Sequence, residues 1–164
     1  MHTIIFNKTL ELAKNREKLE KKLNVKIEIQ GKKVTIEGSA LDEYEASIIL
    51  DAINFGFSAK KALLIKEQNM IFRIIKMKDF TKKKNLEQVR SRAIGKHGKT
   101  KKTIENITGS NIIIKDNEIG IISGPESINT LITGVTALIR GKKQSTTYSF
   151  LEKQRSLAKE RNSY

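Results

Sequence analysis

The chain has 164 residues, enough for one ordinary domain or two small ones. Lys and Arg outnumber Asp and Glu by 32 to 18, a formal net charge of +14, so a polyanion is the expected partner: nucleic acid first, an anionic membrane surface second. No apolar run approaches the roughly 20 residues of a spanning helix, and Met1–Phe6 has neither a charged n-region nor a cleavage site, so the reading is a cytoplasmic protein with no membrane partner. The lack of cysteine removes disulfides, zinc ribbons and a thiol nucleophile, and the 5% of aromatic residues offers little for a base-stacking platform.

Thr3 to Phe6 is a short β-type run. From Lys8 to Leu23, Leu12, Leu19 and Leu23 stand among alternating charges, the pattern of an amphipathic helix, and Asn24 can close it in a left-handed cap. Val25, Ile27 and Ile29 alternate with Lys26 and Glu28 as in a half-buried strand. Gln30 to Lys33 turns the chain into a second strand through Val34 and Ile36. Ser39, three residues before Asp42, resembles a capping box for a helix whose face runs through Leu41, Tyr44, Ile48, Ile49, Ala52 and Ile53. Ser58 caps a short further helix, read as a connector.

Ile71 to Met77 is again rich in β-formers. Lys82-Lys83-Lys84 reads as a solvated loop that adds electrostatic attraction without specific contacts. Leu86, Val89 and Ala93 have helical spacing and lead into Ile94-Gly95-Lys96-His97-Gly98, a Gly-x-x-Gly turn. A helix follows with Lys99, Lys101 and Lys102 in its first turn; Ile104 and Ile107 face a core and Gly109 ends it. Asn111–Ile114 and Ile119–Ile122 pair as a hairpin across Asp116-Asn117. Pro125 sits where a first helical residue belongs, and Ile128, Leu131, Ile132, Val135, Leu138 and Ile139 form the apolar stripe of the closing helix.

The two halves are an internal repeat. At an offset of about 85 residues Leu19 falls on Ile104, Asn24 on Gly109 and Ile27 on Ile112, while Leu10-Glu11-Leu12-Ala13 falls on the Gly-x-x-Gly segment. The first half has therefore lost both glycines, and a continuous helix replaces the turn.

Two glycines three apart let the backbone turn sharply and let a ligand approach without a Cβ in the way. The amides of the loop and of the next helix's first turn suit an anion. Lysines there sit at the positive end of the helix dipole, costing about 0.3–1 kcal/mol each, which makes sense if phosphates occupy the site. The candidate RNA-binding residues are accordingly Gly95, Lys96, His97, Gly98, Lys99, Lys101 and Lys102. Arg90 and Arg92 are placed to reach a phosphate, stack on a base or simply solvate a helix, and Ile94 and Ile112 to form a groove floor or ordinary core. No Ser–His–acid arrangement, Walker-type Gly-Lys-Ser/Thr or carboxylate pair is found, so the chain reads as no enzyme, with no catalytic residue and no cofactor. His97 has only His2 and no cysteine with which to share a metal.

The order helix, Gly-x-x-Gly, basic helix, hairpin and closing helix looks like a KH domain, which clamps about four nucleotides of single strand on such a loop. Three segments carry a wider resemblance: Gly56-Phe57-Ser58 with Lys61-Ala62-Leu63, Ile94 to Glu105, and Thr147-Tyr148-Ser149-Phe150-Leu151-Glu152-Lys153. Over nearly its whole length the chain resembles the archaeal and eukaryotic two-KH ribosome-assembly factors of the partner-of-Nob (Dim-type) family. The fold expected is α+β, with two tandem type I KH domains, each a three-stranded sheet packed by helices. Residues 1–66 are then a degenerate KH-like domain without the glycine loop plus a connector helix, 67–144 the KH domain with it, and 145–164 a basic helical tail. The resemblance implies a factor that binds the single-stranded 3′ region of small-subunit (16S) rRNA and assists its maturation by a Nob-type endonuclease. Archaeal initiation factor 2 is implied as a further partner. The alternative is an exosome-cap-like or general KH RNA-binding adaptor.

Overall fold

Val25, Ile27 and Ile29, followed by Val34 and Ile36, set up a hairpin at the centre of the first unit in the computed structural model, which describes residues 1–163. Its strands are β2 (Lys26–Gln30) and β3 (Lys33–Glu37), turned by Gly31 at φ +61°, and the apolar residues meet as cross-strand pairs, Ile27 with Ile36 and Ile29 with Val34. β1 (His2–Ile5) joins β3 on its other side, giving an antiparallel sheet in the order β1-β3-β2. Leu12, Leu19 and Leu23 of α1 (Leu10–Leu23) are buried, and Asn24 closes that helix at φ +53°. α2 (Ala40–Phe55) and α3 (Ala59–Glu67) start on Ser39 and Ser58, whose hydroxyls accept the N–H groups of Asp42 and Lys61 at 3.2 Å each. The buried side of α2 runs through Ala46, Ile49, Leu50, Ala52 and Ile53. Leu41 and Tyr44, expected on that face, are each 66% exposed because they sit in the first turn or two, ahead of the residues that meet the core. α3 is packed through Ala59, Ala62 and Leu63 and belongs to this unit, Met1–Asn69.

The second unit, from Met70 onward, repeats the plan. β4 (Ile71–Lys76) leads to α4 (Leu86–Ile94), a tight turn at Lys96–Gly98, and α5 (Lys99–Thr108). β5 (Asn111–Lys115) and β6 (Glu118–Ser123) form a hairpin whose two-residue turn holds Asp116 at φ +53°. The sheet order is β4-β6-β5, again antiparallel throughout. α6 (Ile128–Ile139) is entered through a turn at Pro125–Ser127 in which the Gly124 carbonyl accepts from the N–H groups of Ser127 and Ile128, so Pro125 precedes the helix instead of opening it. Val89 and Ala93 of α4, Ile104 and Ile107 of α5, and Leu131, Val135 and Leu138 of α6 close over Ile119 and Ile121 of β6.

α7 (Gln144–Arg161) covers most of the stretch expected as a basic tail. It lies packed against α5 and α6. Leu151 is 1% exposed, and Gly134 of α6 makes room for it: a Cβ at Gly134 would lie 3.0 Å from Leu151 Cδ2. Arg155 Nη1 donates to the carbonyls of Asn106 (3.3 Å) and Ile107 (2.9 Å), fastening α7 to the last turns of α5. Tyr164, the last residue of the expected tail, lies outside the described residues. Leu151→Ala should therefore cost about 2–5 kcal/mol, the range for deleting a buried leucine side chain. Urea unfolding measures this; a loss below about 0.5 kcal/mol, the surface range, would mean that α7 is not part of the core.

The repeat extends to hydrogen bonds. Glu20 Oε1 accepts the backbone N–H of Ile27 at 2.8 Å, and Glu105 Oε2 accepts that of Ile112 at 3.1 Å; both pairs keep the 85-residue offset. Asn24 and Gly109 close the two preceding helices in the same left-handed conformation. The difference lies at the helix starts, where α1 is uninterrupted and the second unit breaks at Gly95–Gly98. Among the described residues no helix is long and apolar enough to cross a membrane.

Candidate nucleic-acid interface

The break between α4 and α5 is built by three consecutive demands on the backbone. Gly95 ends α4 at φ +77°, ψ +171°, a region essentially closed to side-chain-bearing residues. His97 (φ +55°, ψ +30°) and Gly98 (φ +73°, ψ +13°) then follow in the left-handed region. The two glycines do different things. A Cβ on Gly95 would lie 2.2 Å from Thr100 Oγ1 and 2.6 Å from the Thr100 backbone N, so this glycine lets the loop close against a threonine that is itself 4% exposed. Around Gly98 nothing lies within 4 Å of that position, which leaves a bare stretch of backbone facing open space.

Lys96, His97, Lys99 and Lys102 are exposed around that stretch, and no side chain caps the start of α5. Among the described residues none of these four forms an ion pair. Lys101 does: its Nζ lies 2.9 Å from Glu105 Oε1, one turn further along. Glu105 thus holds Lys101 with one oxygen and the Ile112 amide with the other.

Arg90 and Arg92 stand about 200° apart around α4, as residues two apart must. Arg90 Nη1 donates to the Asp116 carbonyl at 2.9 Å, pinning the β5–β6 turn. Arg92 Nη2 donates to the carbonyls of Gly141 (3.2 Å) and Lys142 (2.6 Å), pinning the turn between α6 and α7. Both are structural braces of the loop's surroundings, and each retains donors of its guanidinium fork. Ile94 is half-buried beside the loop. Ile112 is not a floor: at 4% exposure it is part of the core, and its amide is already taken by Glu105. Among the described residues no group of three or more His, Cys, Asp or Glu could hold a metal ion. Sequence reasoning missed Thr100, Glu105 and the two arginine braces. Only Glu105 left a signal, since Glu20 occupies the same place in the first repeat.

The profile of the second KH domain of PNO1, a eukaryotic-type KH domain of type I, matches residues 71–156. That span takes in the glycine loop, the hairpin, α6 and most of α7. The chain belongs to the PNO1/Dim2 family of KH proteins. It is 32% identical over 148 residues to a KH domain-containing protein of Methanocaldococcus jannaschii, covering 86% of this chain and 65% of that protein. It is 31% identical over 150 residues to the pre-rRNA-processing protein PNO1 of Gibberella zeae, covering 88% and 58%. The chain thus spans about three fifths to two thirds of the length of these relatives. The crystal structure of Dim2p from Pyrococcus horikoshii superposes with a TM-score of 0.83 at 25% identity, covering 93% of this chain and 98% of that one. A chain of the a/eIF2alpha–aDim2p–rRNA complex from the same organism also gives 0.83 at 25% identity, covering 94% and 93%. The family and the two-KH α+β fold are those the sequence led one to expect.

Proposed function

We propose that this protein binds the single-stranded 3′ region of small-subunit rRNA through the Gly95–Gly98 loop and the start of α5, and that it assists maturation of that RNA without cutting it. The observation that carries the reading is the open face of Gly98, bare backbone ringed by exposed, unpaired Lys96, Lys99 and Lys102. A sugar–phosphate backbone can come into contact there, which a Cβ would prevent, and its charge offsets lysines that the helix dipole otherwise disfavours. The rRNA in the Pyrococcus horikoshii complex and the processing role in the name of the Gibberella zeae relative support the choice of RNA. The initiation factor in the same complex supports a translation-factor partner, and a Nob-type endonuclease rests on the family resemblance alone.

Within this reading Lys96, His97, Lys99 and Lys102 meet phosphates and Ile94 lies beside the bases. Arg90 braces the β5–β6 turn, Arg92 the turn after α6, and Lys101 pairs with Glu105, and all three lend charge. The first unit, with α1 unbroken where the loop would be, contributes no equivalent clamp. If about five to seven phosphates are neutralised, the logarithm of the association constant should fall with the logarithm of salt with a slope of roughly −3.5 to −5. Titrating the single-stranded 3′ end of small-subunit rRNA, a scrambled strand and a duplex across a salt series tests this. Preference for the first strand with such a slope supports the proposal. Equal binding to all three with a flat response would overturn it.

A further inference from the structure

The turn that follows α6 is unusually well fixed for a pair of exposed lysines. Gly141, at φ +105°, donates its N–H to the Leu138 carbonyl and Lys142 donates to that of Ala137. This is the Schellman arrangement that terminates a helix on a left-handed glycine. From the other side Arg92 holds the carbonyls of Gly141 and Lys142. Lys142 and Lys143 are therefore presented on a preset backbone, beside a residue only three positions before Gly95, about 4.5 Å along the helix axis. Arg92, which reaches this turn, also lines a cleft of about 390 Å³ between α4 and the end of α6; the side chains of Lys142 and Lys143 stand outside it. Leu138 and Ile139 supply apolar floor, and Asn85, Gln88 and Arg92 bring amide and guanidinium donors. Glu87 is its one carboxylate and Lys83 adds a further cation. Among the described residues Lys83, Arg92, Lys142 and Lys143 form no ion pair.

We infer that this cleft is a second nucleotide site, in which a base enters between α4 and α6 while its phosphate lies on Lys142 and Lys143, lengthening the RNA track beyond the glycine loop. The inference rests on the RNA-binding reading above. The chemistry selects a nucleotide over a bare anion, because an anion has no use for an apolar floor. The amide edges of Asn85 and Gln88 match the donors and acceptors of a base, and the lysines match its phosphate. Ordering the turn in advance lowers the entropic cost of capture.

The test compares strands of four and ten nucleotides that share the same core sequence. It uses wild type, Lys142→Gln/Lys143→Gln, and the control Lys32→Gln/Lys33→Gln, which removes equal charge from the exposed β2–β3 turn. The 142/143 variant should bind the long strand about tenfold more weakly and the short one within about twofold, with its long-strand salt slope reduced by about 1.4, two charges at 0.7 each. Equal losses on both lengths, no loss on the long strand, or the same loss in the control would overturn the second site. Photo-crosslinking of a ten-nucleotide strand containing 4-thiouridine is the second measurement. Label on the peptides carrying Gln88 or Lys142 supports the site, and label confined to residues 95–103 overturns it. Loss of binding at both lengths in Lys96→Asp/His97→Asp, with the 142/143 variant unaffected, would keep the primary reading and remove only this one. Binding that depends on neither strand length, salt nor either pair of substitutions would remove both.

Discussion

Gly95→Ala is expected to destabilise the second unit by about 2–5 kcal/mol, while Gly98→Ala should cost only about 1–2 kcal/mol. Both positions have positive φ, so both pay for a side chain in a conformation that L-residues avoid. At Gly95 the conformation is one that only glycine adopts readily, and the new methyl would lie 2.2 Å from Thr100 Oγ1 and 2.6 Å from the Thr100 backbone nitrogen. Thr100 is buried and cannot swing away, so the start of α5 has to move. At Gly98 the methyl meets nothing. Urea denaturation of the two variants side by side measures the difference; equal losses would mean that the contact with Thr100 does not shape the loop. The RNA-binding order should be instructive too. Gly98→Ala, the less destabilised of the two, should still bind RNA more weakly, because its methyl stands on the open face of the loop.

Lys96→Asp/His97→Asp should weaken binding to single-stranded rRNA by about 100-fold. Lysine to aspartate changes the charge by two and neutral histidine to aspartate by one, three in all. At about 1 kcal/mol per charge near a phosphate in largely aqueous surroundings this is about 3 kcal/mol, or roughly two decades in affinity. The fold should tolerate the change. Both side chains are exposed, and aspartate is among the few residues that accept the left-handed conformation His97 adopts. Fluorescence anisotropy reads the affinity and thermal unfolding the stability. An unaltered dissociation constant would move the binding site away from this loop.

Much of this architecture is legible in the sequence. Alternation in Val25–Ile29 and Ile112–Ile114, left-handed closures at Asn24 and Gly109, and serine caps at 39 and 58 are local signals that depend on few neighbours. The internal repeat carried them from one half of the chain to the other. What failed was whatever depended on which face meets which. Leu41 and Tyr44 fit the periodicity of α2 but lie before the turn at which that helix reaches its core. Ile112 fits a groove floor or ordinary core equally well by its alternation, and its burial places it in the core. Arg90 and Arg92 looked interchangeable as basic residues. Their roles divide because two steps along a helix turn one toward the hairpin and the other toward the turn after α6. Nothing in the sequence around Thr147 announces that α7 folds back onto α5 and α6, because the small Gly134 that seats Leu151 lies 17 residues earlier.

The paired glutamates have a consequence for how each unit stays apart from its neighbours in solution. β2 and β5 each form one of the two edges of their sheets, so every second amide on them faces away from its partner strand and offers itself to a foreign chain. Glu20 and Glu105 each cover one such donor near the start of the strand and set a carboxylate on the rim. An incoming strand would have to displace that carboxylate and then bring its own carbonyls against the displaced negative charge. One of the two open margins of each sheet is thus guarded against self-association by a single side chain.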